Sequence, residues 1–148
     1  MICYFSIVKT NIYMESKKLK IRDMLELEVQ LAGFNNGSVS IKGLLREKLN
    51  IKTKYWLGKV FEQVDKEKKL FSELRDELIK KYGEENENGI EVKQFKDGKL
   101  NDDFVKFSEE INALLDQEIE MKFPKLSIDD FDFDSEENYS FAISFVIE

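Results

Sequence analysis

The carboxylates of Asp129, Asp130, Asp132, Asp134, Glu136 and Glu137 form the densest group of chemically capable side chains in the sequence. In a strand, Asp130, Asp132 and Asp134 would share one face because successive side chains alternate, and three in a row could hold a hard cation while Phe131 and Phe133 anchor the other face. A calcium loop, however, needs glycine where Ser135 stands and a bidentate glutamate where Phe141 stands. A solvated acidic edge is therefore the preferred reading, with mimicry of a phosphate row as a lesser one. The run Glu84-Glu85-Asn86-Glu87-Asn88-Gly89 fails the same test, since Phe95 occupies the position of the bidentate glutamate, and it reads as a solvated turn. No metal site is expected.

A second group is basic and aromatic. Lys52, Lys54 and Lys59 surround Tyr55 and Trp56, with Lys42, Arg46 and Lys48 a little upstream. Aromatics with a cationic rim suit the centre of a protein interface. The same composition serves single-stranded nucleic acid, but the chain carries a net charge of -7, so nucleic acid is the weaker reading. Trp56 itself has two readings, a binding anchor beside the lysines or a cap on the core against Leu45 or Leu49.

What is missing weighs more than either group. There is no histidine, the commonest general base and metal ligand, and Cys3 is the single cysteine. A lone cysteine leaves no internal disulfide framework and fits intracellular residence. No G-x-S-x-G, glycine-rich phosphate loop or Cys/His pair occurs. The expectation is a protein that is not an enzyme and uses no cofactor.

The basic-aromatic group opens the longest element. Leu57, Val60, Phe61, Val64, Phe71, Leu74, Leu78 and Tyr82 recur at helical steps over residues 53–82, interrupted only at Glu67-Lys68 and closed by Gly83 in a left-handed turn. Ahead of it, residues 25–31 carry two conflicting periods. Leu25, Leu27, Val29 and Leu31 alternate with polar residues as in a strand, and a helix would set Glu28 inside its apolar arc, so strand is preferred. Asn35-Asn36-Gly37-Ser38 is a turn, and Ser40 caps a short helix that buries Ile41, Leu44, Leu45 and Leu49. Asn88-Gly89 signals a hairpin, and Ile90 to Leu100 a short, partly exposed β-excursion between helices. A second amphipathic helix covers 102–116. Strands are expected at 119–123, ended by Pro124, and at 138–147, where Tyr139, Phe141, Ile143 and Phe145 alternate with smaller residues.

These elements make an α+β fold, a long amphipathic helix paired with a second helix against a small, mostly antiparallel sheet built from 119–123, 138–147 and 25–31. Residues 14–148 read as a single α+β domain and 1–13 as a candidate upstream extension of the reading frame, since Met14 opens the lysine-rich MESKKLKIRD. The apolar start has no basic region before it and makes a poor signal peptide, and no run is long enough for a membrane span. Charge is polarised along the chain. Residues 1–82 hold 17 Lys and Arg against 11 Asp and Glu, whereas 109–148 hold 2 against 12. Basic and acidic faces attracting each other within the fold is the preferred account, with an acidic tail for a basic partner as the other.

Three stretches, LLREKLNIKTKYWLGKVFEQV, LRDELIKKYGEENENG and FSEEINALLDQEIEMKFPKLSIDDF, share a layout. A leucine-rich corner precedes a basic-aromatic helix, K-Y-G-E leads into an Asn/Gly turn, and an E-I-N-x-L-L helix runs into acidic-apolar alternation. Over residues 44–134 this resembles small uncharacterised proteins of tailed bacteriophages, a likeness from which Met1 to Gly43 departs. The resemblance implies a phage accessory or structural protein in the host cytoplasm or the virion, and it brings no catalytic residues. The expected function is protein–protein contact as a virion component or assembly factor, with a phage or host partner or a homo-oligomer. The alternative is an inhibitor of a host defence or nucleic-acid-binding factor, acting as an acidic decoy through the carboxylates named above or as a small-molecule sponge.

Overall fold

A computed structural model describes residues 14–147 of the chain. The candidate extension at 1–13 lies outside the described residues. The first strand, β1 (Met14–Lys20), runs without a break into helix α1 (Ile21–Ala32). Two residue-pair strands, β2 (Phe34–Asn35) and β3 (Ser40–Ile41), and a 3-10 turn at Leu44–Arg46 lead to the long helix α2 (Ile51–Tyr82). Two small hairpins follow, β4 (Glu84–Asn86) with β5 (Gly89–Glu91) and β6 (Phe95–Lys96) with β7 (Lys99–Leu100). Helix α3 (Asp102–Leu115), strand β8 (Glu118–Pro124), a 3-10 turn at Ile128–Phe131 and helix α4 (Ser140–Val146) complete the chain. The class is α+β, with a long helix, a second helix beside it and small antiparallel strand pairs.

Strand β8 falls where alternation placed it, but its partner is β1, antiparallel from Met14 opposite Pro124 to Lys20 opposite Glu118. Lys18 lies opposite Glu120 and Lys20 opposite Glu118, so like the hydrophobic pairs of a sheet these charges favour the register. The two segments expected to join that sheet are both helices. In α1, Ile21, Met24, Leu27 and Leu31 are buried at steps of three and four, and Glu28, which argued for a strand, forms an ion pair with Lys68 of α2 at 2.7 Å. In the carboxy-terminal run the buried residues are Tyr139, Ala142 and Val146, again a helical spacing that the alternation of Phe141, Ile143 and Phe145 had masked. Gln30 of α1 accepts a hydrogen bond from the backbone N–H of Ala142 at 2.9 Å, answering one of the open donors in the first turn of α4.

Two further expectations are corrected. The helix starting at Ser40 is replaced by β3 and the 3-10 turn, because Gly43 sits at φ +98 and a Cβ there would lie 2.6 Å from the backbone of Ala32 and Gly33. Gly83 ends α2 in extended backbone at φ -88, not a left-handed turn; glycine is required there for space, since a Cβ would stand 2.4 Å from the Ile79 carbonyl oxygen. The start of α2 is set by Asn50, whose Oδ1 accepts from the Thr53 N–H at 2.8 Å and the Thr53 hydroxyl at 2.9 Å.

The core gathers the inner faces of α1, β8, α4 and the first two thirds of α2. Met24, Leu27, Leu31, Leu44, Leu57, Val60, Val64, Phe71, Phe123 and Val146 are buried there, and Phe123 stacks on Phe145 with centroids 5.1 Å apart. Beyond Phe71 the character changes. No residue in 72–120 is fully buried, so the far end of α2, the two hairpins and α3 form a two-helix arm on the edge of the core.

Candidate functional site

The basic-aromatic group occupies the first turns of α2. Tyr55 is 55% exposed, whereas Trp56 is half-buried and packs against the core cluster. Their rings meet edge to face at 5.2 Å, and the Lys59 ammonium stands 5.4 Å from the centre of the Tyr55 ring. Lys59 also approaches Glu62 at 3.7 Å. The helix thus divides the pair, Trp56 inward and Tyr55 outward with a cation above it.

The acidic group does not form the expected row on a strand. Asp129 and Asp130 belong to the 3-10 turn, where Asp130 accepts from the Ser127 N–H at 3.0 Å, and Asp132 to Ser135 follow an irregular path. The fold brings part of this group to the basic one. Lys52 and Asp130 line a cleft of about 590 Å³ with Ser127 and Ile128. Lys54 lines another of about 600 Å³, in which Arg46 and Lys48 share the walls with Asp132 and Asp134 over Leu49 and Phe133. Lys59 lines neither of these clefts, and neither do Asp129, Glu136 and Glu137. Regions of opposite charge thus share these clefts.

Beside the second cleft lies a buried polar cluster that sequence reasoning missed. Glu47 is 3% exposed and so is Tyr139, whose hydroxyl donates to Glu47 Oε2 at 3.0 Å. Glu137 also contacts that hydroxyl and accepts from the Lys42 N–H at 2.6 Å, while the Lys42 ammonium pairs with Glu47 Oε1 at 2.9 Å. The Ser135 hydroxyl and the Lys42 ammonium hold Glu47 below the ordinary carboxylate value against the opposing effect of burial. The Tyr139 hydroxyl holds Glu137 below it. Burial, followed by both carboxylates, pushes the Tyr139 hydroxyl up, so it keeps its proton and serves as a donor. This arrangement fastens the carboxy-terminal segment to the 42–47 corner. Glu47 stood among leucines in the sequence with nothing to mark it as different from a surface acid.

The arm presents an open apolar groove. Leu74 and Leu78 of α2 face Ala113 and Leu114 of α3 across a concavity of about 610 Å³, with Glu77, Lys81, Glu110 and Gln117 around it. Lys81 and Glu110 tie the two helices at 3.5 Å. Leu70, one turn before Leu74, is 53% exposed. Sequence periodicity placed Leu74 and Leu78 on an apolar stripe, but periodicity does not tell an inward stripe from one that nothing covers.

Among the described residues no group of three or more Cys, Asp and Glu side chains is arranged to hold a metal ion, and no helix is long and apolar enough to cross a membrane. The chain matches no protein-family model, no curated protein and no solved structure.

Proposed function

We propose that this chain is a non-enzymatic contact protein that engages another protein chain along the groove between α2 and α3. The observation that carries this reading is the arm itself. An apolar groove between two helices with a charged rim is a common form of protein contact site. Here Leu74, Leu78 and Leu114 line such a groove in a stretch, 72–120, that has no fully buried residue. The resemblance to tailed-phage proteins supports a virion component or assembly factor in the infected host cell. The acidic decoy draws less support, because Glu137 and Asp130 accept hydrogen bonds within the chain and Asp132 and Asp134 share a cleft with Arg46 and Lys54.

The test is to follow a tagged chain through purified particles and assembly intermediates, alongside a Leu74→Glu variant whose circular dichroism matches the parent. Co-purification that Leu74→Glu abolishes supports the reading. Absence from both fractions, or co-purification indifferent to Leu74→Glu, overturns it.

A further inference from the structure

One flank of the distal half of α2 carries a pattern that is its own complement when reversed. Glu67, Leu70, Leu74, Leu78 and Lys81 fall within an arc of about 80° at 100° per residue, so they form one stripe along the helix. Phe71, which belongs to the core, points to the side of this stripe. Leu70 is more than half exposed, Leu74, Leu78 and Lys81 line the groove, and Ala113 opposite them leaves room for close approach.

Reversed about Leu74, the stripe sets leucine on leucine positions and Glu67 on the position of Lys81. A second α2 laid antiparallel over the first would set Leu74 against Leu74, Leu70 against Leu78 at both sides of the centre, and Glu67 against Lys81 at both ends. Glu67 makes no ion pair among the described residues, and Lys81 pairs with the partly exposed Glu110 at 3.5 Å and stands over the Tyr82 ring at 5.0 Å. A two-fold interface requires this relation, in which a patch is its own complement, and a surface built for an unrelated partner has no reason to satisfy it. We infer that the occupant of the groove is a second copy of this chain, bound antiparallel with the two-fold axis at Leu74. This inference rests on the reading of the groove as a protein-contact site and commits it to one partner.

The purified full chain is expected to have twice the chain mass by light scattering. Leu74→Glu, which places like charges face to face on the axis, is expected to give a monomer with unchanged circular dichroism. Glu67→Lys weakens both end pairs at once and should raise the dimer dissociation constant about tenfold, and Lys81→Glu in the same chain should recover much of that loss. In a Cys3→Ser background, Leu74→Cys should cross-link to itself under mild oxidation and Leu70→Cys should not. A monomeric parent, a dimer untouched by Leu74→Glu, or no recovery in the double charge variant overturns the inference. A monomer that still reaches phage particles in a Leu74-dependent way leaves the contact reading standing with a different partner, so the two failures are distinguishable.

Discussion

At the scale of single residues, the Tyr139 hydroxyl and the Glu47 carboxylate are coupled by burial. Removing the hydroxyl leaves a carboxylate 3% exposed without one of its donors, and an unsatisfied buried polar group costs about 1–3 kcal/mol. Tyr139→Phe should lower chemical stability by that amount, and denaturant melts of the two proteins measure it. The same cluster makes stability depend on pH. Glu47 and Glu137 are held below the ordinary value of 4.5, so the folded protein binds their protons more weakly than the unfolded chain does. Their contribution is complete above that value and is lost as pH falls through the depressed folded values. Melting temperatures taken downward from neutral pH should therefore drop below about pH 4.5, and Glu47→Gln should flatten part of that drop. Trp56 and Tyr55 separate by the same logic of burial. Trp56→Ala removes a half-buried ring from the core and should cost about 1–3 kcal/mol, while Tyr55→Ala should leave the melting temperature nearly unchanged. Equal losses from the two would show that the Trp56 ring contributes no more to the core than its exposed neighbour.

At the scale of elements, two irregularities in the sequence explain each other. Glu67-Lys68 interrupts the apolar stripe of α2, and Glu28 interrupts that of α1; in the fold Lys68 reaches Glu28 where the two helices cross, at 2.7 Å. Read separately, Glu28 argued against a helix, because a charge in an apolar arc is costly without its partner. The long helix, α3 and β8 were legible because each buries one kind of periodic face against one neighbour. Segment α4 was not, because its outer residues Phe141, Ile143 and Phe145 are also apolar and partly buried, which erases the contrast a helical period depends on. Strand β1 was hidden for the opposite reason. Of its side chains only Leu19 is buried, and its one usable signal was the lysine alternation of Lys18 and Lys20, whose partners Glu120 and Glu118 lie at the far end of the sequence. The candidate site divides in the same manner: the apolar stripes were visible, the burial of Glu47 and the vacancy beside Leu74 were not. The crossing pair itself is testable. Lys68→Met alone strands Glu28, whose side chain is 17% exposed, and should cost about 1–2 kcal/mol, between the surface and buried limits. Glu28→Leu with Lys68→Leu should be neutral or stabilising, and a double variant as unstable as the single would show that the ion pair itself holds the helices together.

At the scale of the whole molecule, burial is distributed unevenly. The core draws on both ends of the described chain, with β1 and α1 packed against β8 and α4, while the middle, 72–120, contributes only partly buried side chains such as Ile111, Leu114 and Leu115 at its edge. Local stability follows buried contact, so the arm should open without the core. Hydrogen exchange on a dilute sample should show amides of α3 and of α2 beyond Phe71 exchanging well before those of α1, β8 and the first turns of α2. The tie between Lys81 and Glu110 is exposed on both sides and adds little resistance to that opening. Self-association through Leu74 would reverse the order within one helix. A second copy buries Leu70, Leu74 and Leu78, so protection of the distal half of α2 should rise with protein concentration while protection of its first turns stays fixed, and Leu74→Glu should remove the concentration dependence. If the distal half is as protected as the core at every concentration, the arm is held by its own packing and the groove is not the place where this chain meets another.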